Sequence, residues 1–234
     1  MKLLLTSNGF IGNSLEKDFL DMVGDRINLK VAIIPTAGDP IEWIPLVEGD
    51  TSYDNFVPKL VGESSNGKGE YYEYFTNKGY SVDVVDLKEN KNDVKEKLQS
   101  VDIIFVGGGD VNYLLEWAKK AEMGNYLKTL LDNNVVYIGV SAGSGLVIPD
   151  IGLTWWEPIM KADHAGFGVV DFVTIPHQKE SDADKSVEKL TERKKYLDEA
   201  VGFPWKVYLL QDGQAVKVVD DNVEHIGEGV KNSI

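Results

Sequence analysis

Four short stretches of this chain carry groups that could act on a carbonyl carbon. Gly139-Val-Ser-Ala-Gly143 is a Gly-x-Ser-x-Gly pattern behind the apolar run Val136-Tyr-Ile. A sharp strand-to-helix turn lifts a serine oxygen clear of a sheet and needs small neighbours so that the backbones can approach. Gly139 and Gly143 supply them, and the helix-compatible stretch Ala142–Val147 follows. A tight turn with an ordinary serine would read the same way. Gly107-Gly108-Gly109-Asp110 ends another apolar run, Val101–Val106. Glycines there let backbone N–H groups face a bound group at a helix start. The run lacks the Lys-Ser/Thr of a P-loop and the spacing of G-x-G-x-x-G. A phosphate cradle, an oxyanion donor and simple packing all remain open.

A serine nucleophile needs a base, and the base needs an orienting acceptor. The histidines are His164, His177 and His225. His177 follows the apolar run Phe172-Val-Thr-Ile-Pro and so stands at a strand end, which makes it the preferred base. His164 lies in a polar stretch, and His225 lies in a hairpin expected near the C-terminus. Asp212, in Gln211-Asp-Gly213 after the strand Lys206–Leu210, is a candidate orienting carboxylate. An Asp-Gly pair is equally a β-turn signal.

These groups need a frame. Lys2–Thr6 and Lys30–Pro35 read as strands, with a helix from the Asn13/Glu16 capping pair through Val23 between them. Thr36–Gly69 is irregular, rich in proline and glycine, and too long for a plain connection: a lid or site wall, or a surface excursion. Then come a helix at Glu70–Asn77, a strand at Tyr80–Leu87, a helix at Asn92–Gln99 and the Val101–Val106 strand. A helix near Val111–Leu115 and another at Asn125–Leu131 lead to the Val136 strand. A charged helix is expected over Asp184–Ala200. Alternating strands and helices give a mostly parallel sheet with helices on both faces, an α/β fold. Ligands in such sheets bind beyond the carboxyl ends of the strands. Ser141 and the glycine triplet both stand there.

Composition narrows the classes. The chain has 234 residues and a net charge of -14, which argues against nucleic acid and anionic membrane as partners. It has no cysteine, so a thiolate nucleophile, disulfides and thiolate metal sites are excluded. No stretch has the length of a membrane span, and a cytoplasmic protein is expected.

Phe105-Val-Gly-Gly-Gly-Asp-Val-Asn-Tyr-Leu114, Tyr137-Ile-Gly-Val-Ser-Ala-Gly143, Val173-Thr-Ile-Pro-His177 and Leu210-Gln-Asp-Gly213 occur in the order and spacing of the dipeptidase E family. These are α-aspartyl dipeptidases, with cyanophycinases as relatives. The resemblance covers nearly the whole chain from Lys2 and is weakest over Thr36–Gly69. It implies a single flavodoxin-like α/β domain over residues 1–234, related to class I glutamine amidotransferases, with serine at the cysteine position. It implies Ser141 as nucleophile, His177 as base, and Gly109 and Ala142 as backbone oxyanion donors. Asp212 matches a family glutamate that orients the histidine.

The chain also departs from that pattern. Asp110 replaces the usual asparagine and adds a negative charge beside the site. Glu157, behind Trp155-Trp156, stands near a family aspartate; with Asp110 it is a candidate substrate-binding residue, and it is the next candidate for the acid. Strict aspartyl specificity therefore does not follow. Arg193, in Thr191-Glu-Arg-Lys-Lys, is either part of a solvated helix face or a clamp for a substrate carboxylate. The expected reaction is acyl transfer from a short peptide to water, without metal or cofactor. Two readings compete with it. An α/β-hydrolase-type esterase would use His225 after its acid. A catalytically silent binding protein could keep the same fold.

Overall fold

A computed structural model describes residues 1–45, 56–152, 165–178, 191 and 204–234. Glu157, His164, Arg193 and, apart from Thr191, the segment 184–200 lie outside the described residues.

Strands β1 (Lys2–Thr6), β2 (Lys30–Ile34), β5 (Ser81–Val84), β6 (Ile103–Val106) and β7 (Val136–Val140) run parallel in one sheet. Its order is β11-β10-β1-β7-β6-β2-β5, where β10 (Gln214–Val219) and β11 (Asn222–Gly227) form an antiparallel hairpin beside β1. β6 and β7 are buried on both faces, as their unbroken apolar sequences demand, whereas the edge strands β5 and β11 are partly exposed.

Side-chain alternation builds two core layers. Leu3, Leu5, Ile34, Ile104, Val106 and Tyr137 point to one face, where α3 (Lys91–Gln99), α4 (Val111–Lys120), α5 (Leu127–Asp132) and α6 (Ala142–Gly145) pack. Leu4, Val31, Ile33, Ile103, Phe105 and Ile138 point to the other, against α1 (Leu15–Val23) and α2 (Glu70–Asn77). In α1 the buried residues Leu15, Phe19, Met22 and Val23 fall at helical spacing on one stripe. This is the mostly parallel α/β architecture with helices on both faces that the sequence implies.

A second sheet was not anticipated. β8 (Phe172–Ile175) and β9 (Lys206–Leu209) pair in parallel, and β12 (Asn232–Ser233) adds antiparallel to β9. The chain leaves β9, turns through Gln211–Gly213 and enters β10 of the main sheet. Within Thr36–Gly69 the described residues hold a 3-10 turn, Thr36–Gly38, and an antiparallel hairpin of β3 (Ile41–Pro45) and β4 (Phe56–Leu60). Among the described residues no helix is long and apolar enough to cross a membrane.

Candidate active site

β1, β7 and β6 end level with one another, since Thr6 pairs with Val140 and Val106 with Gly139. Ser7, Ser141 and Gly107 therefore leave the sheet at one edge. Ser141 has φ 49° and ψ -106°, a left-handed backbone that few residues other than glycine adopt. Three contacts over-determine it. The Ser141 N–H donates to the Thr6 carbonyl at 3.0 Å, and the N–H groups of Ser144 and Gly145 donate to the Ser141 carbonyl at 2.9 and 3.2 Å. The buried Tyr137 hydroxyl donates to the Gly143 carbonyl at 2.7 Å.

The glycines of the motif have distinct reasons to be there. A Cβ on Gly139 would lie 2.6 Å from the Gly143 carbonyl carbon and the Ser144 nitrogen. A Cβ on Gly143 would lie 2.2 Å from the Val106 oxygen. The turn thus packs backbone on backbone, which is how the serine is raised above the sheet.

Two histidine bonds complete a chain of hydrogen bonds. Ser141 Oγ lies 2.9 Å from His177 Nε2, and His177 Nδ1 lies 2.9 Å from Asp212 Oδ1. An ionised carboxylate only accepts, so Nδ1 carries the proton and Nε2 of the neutral ring accepts from the serine hydroxyl. His177 follows β8 and Asp212 follows β9, so adjacent parallel strands of the small sheet carry the two residues. Asp212 is also in a turn, with the Gln214 N–H donating to the Gln211 carbonyl at 3.0 Å. The turn and orienting readings of Asp-Gly are therefore compatible.

The glycine triplet borders the serine directly. A Cβ on Gly108 would stand 3.4 Å from Ser141 Cβ. Gly109, at φ 140°, lies so close to the Ala37 carbonyl that a Cβ would fall 1.9 Å from its oxygen. The N–H groups of Gly109 and Ala142 donate to no acceptor among the described residues. They flank Ser141 from the loop after β6 and from the first turn of α6.

Asp110 has a use that the sequence reading missed. Its Oδ1 accepts from the Tyr113 N–H at 2.9 Å, capping α4. A carboxylate at a helix N-terminus also meets the positive end of the helix dipole. That oxygen holds the helix rather than standing free beside the serine.

His225 belongs elsewhere. Its Nε2 lies 3.1 Å from Gln214 Oε1, and its ring meets Tyr208 edge-on. Gln214 Nε2 donates to the Glu228 and Val230 carbonyls, so its oxygen faces the histidine and Nε2 of His225 is the protonated nitrogen. Burial, with Lys231 and Lys206 adding to it, pushes His225 down to about 4. The ring is neutral and occupied, and it is not joined to Ser141 as the esterase order would require.

Three supporting groups were not read from the sequence. Ser7 and Asn8, between β1 and α1, reach the turn that carries Asp212: Ser7 Oγ to Asp212 Oδ1 at 2.8 Å, and the Gly213 N–H to Asn8 Oδ1 at 2.8 Å. Their place after a parallel strand beside β7 was the available signal. Behind the glycine loop, the fully buried Asp39 carboxylate pairs with Lys88 and accepts from the Ser65 N–H at 2.7 Å and the Tyr113 hydroxyl at 3.2 Å. Burial alone would lower the Lys88 ammonium, but hydrogen bonds to Asp39 and Asp86 outweigh it and hold its pKa above the ordinary value. Among the described residues no group of three His, Asp or Glu side chains could hold a metal ion.

The model of peptidase family S51 matches residues 3–226. The chain belongs to peptidase family S51. It is accordingly a serine peptidase. The relatives it resembles include Peptidase E of a Nostoc species, 23% identical over 190 residues that span 80% of this chain and 72% of the relative. An uncharacterized peptidase of Pasteurella multocida is 25% identical over 165 residues, 68% of this chain and 70% of that one. A solved structure from Listeria monocytogenes, described as a candidate Peptidase E, superposes with a TM-score of 0.65 at 20% identity over 97% of this chain and 98% of its own. The shared fold is the class I glutamine amidotransferase-like one that the resemblance implies.

Proposed function

We propose that this S51 peptidase hydrolyses short peptides through a Ser141–His177–Asp212 triad and an acyl-enzyme. The observation that carries the reading is the unbroken pair of 2.9 Å hydrogen bonds from Ser141 Oγ through His177 to Asp212. His177 Nε2 takes the proton as Ser141 Oγ bonds to the peptide carbonyl carbon. The N–H groups of Gly109 and Ala142 receive the oxyanion, a role in which one donor is worth roughly 3 kcal/mol. The imidazolium then protonates the leaving amine, and the C–N bond breaks. Water, activated by the same nitrogen, attacks the ester; its oxygen ends in the product acid and Ser141 regains its proton. Asp212 keeps the ring in the tautomer that these steps need. Arg193, in the helix expected after His177, is the cation this reading assigns to a carboxylate on the substrate.

A serine-directed fluorophosphonate and a dipeptide assay test the reading together. Wild type should label at Ser141, and Ser141→Ala should not. Ser141→Ala, His177→Ala and the double variant should lose dipeptide hydrolysis by similar factors, because triad members act as a unit. Losses that multiply in the double variant would refute the shared chemistry.

A further inference from the structure

We infer that Ser7 is a positioning residue of the active site: its hydroxyl ties the base and the acid to each other and to the end of β1. The inference rests on the triad reading above. Ser7 is fully buried, whereas the side chains of His177 and Asp212 are 52% and 57% exposed. An exposed histidine–carboxylate pair competes with water for each partner. A donor that water cannot reach gives it one fixed point.

The hydrogen bonds around Ser7 Oγ have one consistent direction. The oxygen accepts from the His177 N–H at 2.8 Å. It donates its own proton to Asp212 Oδ1 at 2.8 Å; the Leu210 carbonyl, at 3.5 Å, is a distant second. The same carboxylate oxygen accepts from His177 Nδ1. A ring of contacts therefore closes through Ser7, the His177 backbone, the imidazole and Asp212.

Each contact answers a particular need. His177 has φ 60°, a left-handed backbone that must be held from outside. The bond from its N–H to Ser7 holds it. Asp212 sits on a turn where its side chain could swing into solvent, and the Ser7 hydroxyl pins the oxygen that faces the ring. Ser7 itself is fixed by its N–H, which donates to the Gln214 carbonyl at 3.0 Å.

The test compares Ser7→Ala, Ser7→Thr and Ser7→Cys with wild type. Turnover is counted per fluorophosphonate-labelled site, and folding is followed by thermal melts. Ser7→Ala should lower kcat roughly 10- to 100-fold, as small misplacements of catalytic groups do, with KM nearly unchanged. Ser7→Thr keeps the hydroxyl and should keep the rate. If Ser7→Ala does not fold, Ser7→Cys holds the volume with a much weaker donor and should show the same loss of kcat at an unchanged KM. Wild-type kcat in the folded variants lacking the hydroxyl would overturn the inference. So would a Ser7→Thr variant as impaired as Ser7→Ala, because packing would then be the cause. If wild type fails to label, or labels equally in His177→Ala, the triad reading fails and the role of Ser7 falls with it; labelling that needs His177, beside a wild-type kcat per labelled site in Ser7→Ala, refutes Ser7 alone.

Discussion

Asp212 accepts from His177 at 2.9 Å while lying in an exposed turn, so its charge rather than its place in the backbone is what an asparagine would remove. Asp212→Asn should keep the turn and the melting temperature within a degree or two. Its amide can present an N–H to Nδ1, which favours the wrong tautomer. Turnover should fall by about 10⁴-fold, the scale seen when a triad acid is so changed; near-wild-type hydrolysis would place the acid elsewhere. His225 makes a separate prediction, for stability. Unfolded, it titrates near its ordinary 6.5; folded, it titrates at about 4. Between those values the unfolded chain binds more protons, so stability falls as pH drops through that window, by at most about 1.4 kcal/mol per unit. Above it the contribution is complete. Urea melts at pH 7.5 and 4.5 should differ less in His225→Gln than in wild type. Ser141, His177 and Asp212 were legible because each is a polar residue within three positions of the end of an apolar strand. Ser7 and Asn8 have the same signature and were missed, because a serine and an asparagine before glycine also describe any loop.

At the scale of elements, the turn between β7 and α6 depends on an absent side chain. Gly143→Ala places a methyl 2.2 Å from the Val106 oxygen. Backbone cannot move aside as a flexible side chain can, so the cost should be about 2 to 3 kcal/mol, in the range of overpacked cores. The serine moves with the turn, and hydrolysis should drop at least 100-fold; a urea melt and a dipeptide assay read the two effects. A variant as stable and active as wild type would show that the close approach is not needed. The strand–helix alternation from Lys2 to Val140 was readable because apolar runs, glycine breaks and caps agree there. The hairpin of β3 and β4 was not readable, since Pro40, Pro45 and Pro58 argue for loop when only local propensity is weighed. Pairing across the hairpin is a long-range fact. Helix α6 is shorter than the Ala142–Val147 expected, ending at Gly145, where two glycines in four residues weaken it.

For the molecule as a whole, the buried Asp39–Lys88 pair joins distant parts of the chain: the end of β2, the segment after β5, Ser65 beyond β4, and Tyr113 in α4. Asp39→Ala would strand the Ser65 N–H and the Tyr113 hydroxyl and take from Lys88 one of its two carboxylates. The expected loss is about 3 kcal/mol in denaturant unfolding. Lys120→Ala, at the exposed pair with Glu116, should cost well under 1 kcal/mol. Similar costs for both would mean that the buried cluster adds little. The division into two sheets escaped the sequence for a related reason. Phe172–Ile175 and Lys206–Leu209 have the same apolar character as the central strands, and which edge a strand joins is decided by docking.

That division has a consequence for how the enzyme can fail. The serine rides on the large sheet, the histidine on the small one, and the aspartate at the bend where the chain passes between them. The strands of the small sheet pack into the same core layer as Leu3, Leu5, Ile104 and Tyr137 of the large one. On the proposed triad, a slight shift in that shared packing would part Ser141 from His177, so damage far from the site, from a mutation, a solvent or heat, would lower hydrolysis. Activity would then work as a vernier scale for the alignment of the two sheets.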